Sequence, residues 1–217
     1  MTPLRKPGLF EEISANDARF WLPQPRRLAN PDELVGRRGL RIYTEMRTDD
    51  QVWAALKLKK HAILSTGWEV KPPDDADPQE KAAAEFVKWN LEEGMTGILD
   101  DDLLECLTAS DFGFSITELC WTPILDGDWA GRIGLKKLAT RRPNDFLFVT
   151  DVHDNLMPDG IEQFGKRFPR DRFVIFSANK EFDNWYGQSD LRPAYRCYSD
   201  DTRVLSKRGW KFFSELI

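Results

Sequence analysis

Helical periodicity stops at Ser110 and strand alternation begins at Phe114. A chain whose helices come mostly first and whose strands mostly follow folds as α+β, with helices packed on a mixed or antiparallel sheet. The first helix is expected near Thr48. Thr48 and Gln51 have capping-box spacing, Asp49 and Asp50 suit the positive helix end, and Val52, Ala55, Leu56 and Ile63 form one stripe. Lys57, Lys59 and Lys60 read as a solvated face rather than a nucleic-acid contact. Asp77-Pro78-Gln79-Glu80 opens a second helix with Ala83, Phe86, Val87 and Leu91 inward, closing at Gly94. A third helix is expected over Ile98 to Ser110, its core stripe Leu99, Leu103, Cys106 and Leu107, with Asp100, Asp101 and Asp102 facing the dipole rather than acting as catalytic carboxylates.

Strands are expected at Phe114–Trp121, Ile133–Leu138, Phe146–Val149 and Phe173–Phe176, and an earlier one at Ser65–Lys71 stopped by Pro72-Pro73. Asp111-Phe112-Gly113 is a turn, and Pro158-Asp159-Gly160 and Pro169 punctuate the segment between the last two strands. The acidic run Asp74 to Asp77 lacks the glycine and distal glutamate of a calcium loop. Asp151, His153 and Asp154 read as a turn, because no second His or Cys accompanies them. Neither metal nor cofactor is expected.

The hydrophobic content of 41%, with eight Trp and fourteen Phe, is enough for a strongly aromatic core. Residues 1–45, broken by five prolines, read as an N-terminal arm with a short helix at Pro31-Asp32-Glu33-Leu34. No apolar run approaches the roughly 18 residues of a membrane span, and no secretory signal is visible, which favours a cytoplasmic product. A net charge of −5 argues against a broad basic surface gripping nucleic acid. Cys106, Cys120 and Cys197 are too scattered for a disulfide framework, and the first two read as small buried hydrophobes.

Four pieces in order resemble the N-terminal half of tailed-phage portal proteins of the Mu-like family. They are the helix Asp49 to Leu56 followed by Gly67-Trp68-Glu69-Val70, and Leu103 to Trp121 with its Asp111-Phe112-Gly113 turn. Arg142-Pro143-Asn144-Asp145-Phe146 and Tyr186-Gly187-x-Ser189-x-Leu191-Arg192-Pro193-x-Tyr195 complete the set. The resemblance implies a wing-like α+β domain over residues 46–196 and a structural subunit without an active site. It further implies a ring of portal subunits, a dodecamer at full length, in the virion at one capsid vertex and made in the bacterial host cytoplasm. Its implied partners are the terminase large subunit, head and connector proteins, and the DNA passing through the channel. An acidic channel repels phosphates and lets a duplex slide.

From Cys197 the pattern changes. Cys197, Asp201-Thr202, Val204, Gly209 and Glu215-Leu216 resemble the N-terminal block of an intein, and residues 197–217 would then be the short β start of a Hint-type fold. That resemblance makes Cys197 the nucleophile of an N-to-S acyl shift and the Arg196 carbonyl its target. A thiol suits the step because a few per cent is thiolate near neutral pH. The Thr-x-x-His block, later His and terminal Asn of an intein do not occur by Ile217, so no splicing by this chain alone is expected. Two explanations of the stop at 217 stay open: a truncation, or the short half of a split intein needing a complementary half. A chain in which Cys197 is an ordinary residue, and a small interaction domain unrelated to phage, are the blander alternatives.

Overall fold

A computed structural model describes residues 24–198. All ladders are antiparallel and form two sheets. One has the order β1 (Arg26–Arg27), β4 (Phe146–Thr150), β5 (Leu156–Gln163), β6 (Lys166–Phe168). The other has β3 (Ile133–Arg141), β2 (Phe114–Pro123), β7 (Phe173–Ser177). The helices are α1 (Glu33–Arg38), α2 (Arg41–Met46), α3 (Asp50–Leu64), α4 (Pro78–Trp89), α5 (Leu99–Cys106), α6 (Ala109–Phe112) and α7 (Leu191–Tyr198), and a π turn at Asn90–Gly94 extends α4. The α+β expectation holds, with antiparallel sheets.

Local chemistry explains most boundaries. At α4 the Asp77 carboxylate accepts from Gln79 N and Glu80 N, both at 2.8 Å, and Glu80 Oε2 accepts from Asp77 N at 2.9 Å. This is a capping box, at the helix start read from the sequence. At α3 the cap is Asp49, which accepts from Gln51 N and Val52 N. Thr48 instead donates its hydroxyl to Glu45 O at 2.7 Å, so the helix starts two residues late. The single helix expected over 98–110 is divided. Thr108 Oγ1 donates to Glu105 O and Ser115 Oγ to Cys106 O, both at 2.6 Å, so side chains take carbonyls at the break.

Three expectations differ from the fold. Residues 65–71 pair with no strand among the described residues, and Pro72-Pro73 just beyond them offer no N–H. The segment punctuated by Pro158-Asp159-Gly160 is β5. Its register jumps from Phe148↔Ile161 to Thr150↔Leu156, so Pro158 lies in a bulge where no ladder bond needs its missing N–H. Gly160 fits the same bulge because a Cβ there would stand 2.6 Å from Val149 O. Finally, the second half of the expected arm is core: Leu28, Leu34, Leu40, Ile42 and Tyr43 are buried with Met46, Phe114, Ile116, Phe148 and Ile161. Two six-residue helices are too short to show a helical period in sequence.

Candidate functional site

Phe112 ends α6, and Gly113 turns the chain into β2 with φ +92°. Gly187, at φ +56°, crosses directly behind it. A Cβ on Gly113 would stand 2.5 Å from Tyr186 O, and one on Gly187 would collide with the carbonyls of Ala178 and Gly113. Two backbones approach this closely only because both positions are glycine. Ala178 N donates to Gly113 O at 2.8 Å, Gln188 N to Ala178 O at 2.8 Å and Asp190 N to Ser110 O at 2.9 Å. Ser189 ties the two turns together. Its hydroxyl donates to Asp111 O at 2.6 Å and accepts from Leu191 N at 3.0 Å.

Tyr186 anchors this crossing to the core. Its ring lies 4.9 Å from Phe148 and 5.3 Å from Phe114, and its hydroxyl donates to Leu28 O and accepts from Phe148 N. Burial raises its pKa above the ordinary tyrosine value, with the Phe148 N–H opposing. On the other side Arg192 donates to Asp32 at 2.9 Å, and Asp32 also caps α1 through Leu34 N and accepts from Tyr43 OH. Burial, then the Asp32 hydrogen bond, raises the Tyr43 pKa.

Beneath the turn, the fully buried Asp111 carboxylate meets Lys60 Nζ at 2.7 Å and Arg47 Nε at 3.1 Å. Burial lowers the Lys60 pKa, while Asp111 works against that shift. Lys60 is thus a core residue, contrary to the solvated lysine face expected of α3. The signal was its place four residues beyond Leu56 and eight beyond Val52, on the buried stripe. Asp151, His153 and Asp154 do form a turn: Asp151 Oδ1 accepts from His153 N at 2.8 Å and Asn155 N at 3.0 Å. Among the described residues no group of three His, Cys, Asp or Glu is placed to hold a metal ion.

The crossing launches α7. Leu191 is buried, Ala194, Tyr195 and Tyr198 pack on the core, and Pro193 sits in the first turn where its missing N–H costs nothing. Arg196 and Cys197 both face solvent, on the opposite side of the helix. The bond between them lies within α7, and residues 199–217, including Asp201-Thr202, Val204 and Gly209, fall outside the described residues. Cys106 and Cys120 are part-buried, not fully buried as expected, and Cys106 Sγ lies 3.2 Å from Thr117 Oγ1.

Two of the motif pieces, the Asp111-Phe112-Gly113 turn and the stretch from Tyr186 to Leu191, therefore meet at one crossing. The family model described as portal protein of Mu bacteriophage matches residues 40–217. The chain belongs to this portal family. It is 30% identical over 146 residues to Mu-like prophage FluMu protein gp29 of Haemophilus influenzae, covering 64% of this chain and 27% of that protein. The chain thus spans about a quarter of the length of that curated relative. Family membership removes the reading as a domain unrelated to phage. The family match also runs through Arg196 and Cys197 to Ile217. Among the described residues of this portal-family chain, no helix is long and apolar enough to cross a membrane.

Proposed function

We propose that this chain is the N-terminal, wing-forming part of a phage portal subunit, acting as a structural element of a ring at the capsid vertex. The family match over residues 40–217 carries this reading. The well-packed crossing of Gly113 and Gly187 supports it, since a rigid scaffold suits a docking and conduit role better than a catalytic one. The net charge of −5 suits a protein past which DNA slides. Like subunits, the terminase large subunit, head and connector proteins and the passing duplex are the partners proposed. Expression of the chain joined to the remainder of a portal subunit tests the reading. Closed rings, dodecameric by mass and by negative-stain imaging, are expected; a monomer under all conditions overturns it.

A second reading concerns Cys197, where the sequence resembles an intein start and the thiol is exposed. In that reading the Cys197 sulfur attacks the Arg196 carbonyl carbon. The peptide C–N bond breaks, its nitrogen takes up a proton and becomes the Cys197 amine, and a thioester remains. A complementary intein half supplies the oxyanion and leaving-group stabilisation that this chain lacks. Splicing would then join Arg196 to the portal sequence that follows the intein. Sequencing downstream of codon 217 tests it. A Thr-x-x-His block and a terminal His-Asn, there or on a separate gene, make Cys197 the splice nucleophile. Uninterrupted portal sequence makes it an ordinary helix residue.

A further inference from the structure

A closed ring of identical subunits needs two different, mutually complementary surfaces on each subunit, because its contacts are head-to-tail. Two exposed apolar patches stand on the described residues, one centred on a lysine and the other tipped by two aspartates. The first is the outer face of α3. Trp53, Ala54, Lys57, Leu58 and His61 are neighbours at three- and four-residue spacing, and Lys57 lies over the Trp53 ring at 5.7 Å. Trp53 is 55% exposed and Leu58 75%. Lys57 is the cation at its centre, and the exposed Asp50 lies one turn before Trp53 at the start of the helix.

The second patch is the tip of the β2–β3 hairpin. Pro123 pairs with Ile133, and Trp121 lies two residues along the same strand. Leu125 is 79% exposed and Ile133 66%. The loop beyond them carries Asp126 and Asp128 around Gly127, and both carboxylates are exposed. The tip is held stiffly. Ile124 N donates to Arg132 O at 2.8 Å, Gly131 N donates to Ile124 O at 2.9 Å, and Arg132 stacks on Trp129 and Phe86 of α4. A rigid finger with an apolar side and an acidic tip loses little entropy on docking. Its free β3 edge is already taken on the α4 side, where Asn90 bonds both Leu135 N and Leu135 O. On that side the hairpin offers side chains, not a strand edge, to a partner.

We infer that the β2–β3 hairpin tip of one copy docks on the outer face of α3 of the next. Leu125 and Ile133 cover Trp53 and Leu58, and Asp126 and Asp128 face Lys57. This rests on the ring reading above and names the surfaces that reading requires. Charge pairs at such a rim set register and approach, while the apolar centre supplies affinity.

Disulfide trapping tests it in the intact protein carrying Cys197→Ser. Leu58→Cys and Leu125→Cys variants are prepared separately, then mixed under mild oxidation. Head-to-tail docking gives linked dimers in the mixture about tenfold faster than in either variant alone. Equal linking within one variant, or a rate matching a Leu147→Cys with Leu125→Cys control, overturns the interface. Sedimentation gives a second readout. Asp126→Lys with Asp128→Lys is expected to weaken association about tenfold, and adding Lys57→Glu to restore most of it. Association that ignores both changes also overturns the assignment. An oligomer of defined number without the mixed cross-link leaves the ring reading standing and removes only these surfaces. A wild-type protein that never associates removes both.

Discussion

Asp111→Ala is expected to be the most damaging single side-chain truncation in this domain. The carboxylate is fully buried and holds Lys60 Nζ at 2.7 Å and Arg47 Nε at 3.1 Å. The Lys60 side chain is only 7% exposed. Removing Asp111 leaves that ammonium buried beside a second cation, with no counter-charge. Breaking a buried pair in this way costs about 3–5 kcal/mol, a large part of the roughly 5–15 kcal/mol that keeps a domain folded. Urea unfolding followed by tryptophan fluorescence would show it, as would a melting temperature lower by roughly 6–20 °C. Lys60→Met with Asp111→Leu should recover most of the loss, because an apolar pair of similar volume needs no desolvation. Lys60→Ala alone should cost less than Asp111→Ala, since Arg47 still neutralises the carboxylate. A loss under about 1 kcal/mol for Asp111→Ala, or a double variant no better than the single, would refute the reasoning.

Gly187→Ala must place a Cβ against the carbonyls of Ala178 and Gly113 in a left-handed backbone. It should cost well over the roughly 1–2 kcal/mol of that conformation alone, seen as a lower denaturation midpoint, whereas Gly127→Ala, with open space around it, should cost only the conformational part. Tyr43 and Tyr186 both have raised pKa values in the folded state. The unfolded chain therefore loses these protons first, so their contribution is intact below about pH 10 and falls as pH rises further. Tyr43→Phe with Tyr186→Phe should flatten that alkaline decline in pH-dependent unfolding. Asp77→Ala removes the carboxylate that accepts from Gln79 N and Glu80 N, leaves the residue-77 N–H on Glu80, and should lower stability by about 1 kcal/mol in the same assay.

What could be read from the sequence was what depends on near neighbours. The α4 start was legible because its donors and acceptors lie within three residues of each other. Strands β2, β3, β4 and β7 were legible because alternation is local, and the motif pieces that mark the portal family were legible as short strings. Tertiary structure alone decided three other things. Lys60 looked like its neighbours Lys57 and Lys59, and only the approach of Asp111, 51 positions away, made burial of its charge tolerable. Residues 26–46 carried no visible period, and only the sheet supplied the surface that buries Leu34, Tyr43 and Met46. The need for glycine at both 113 and 187 arises from one backbone crossing another, a contact between distant segments that no local pattern records.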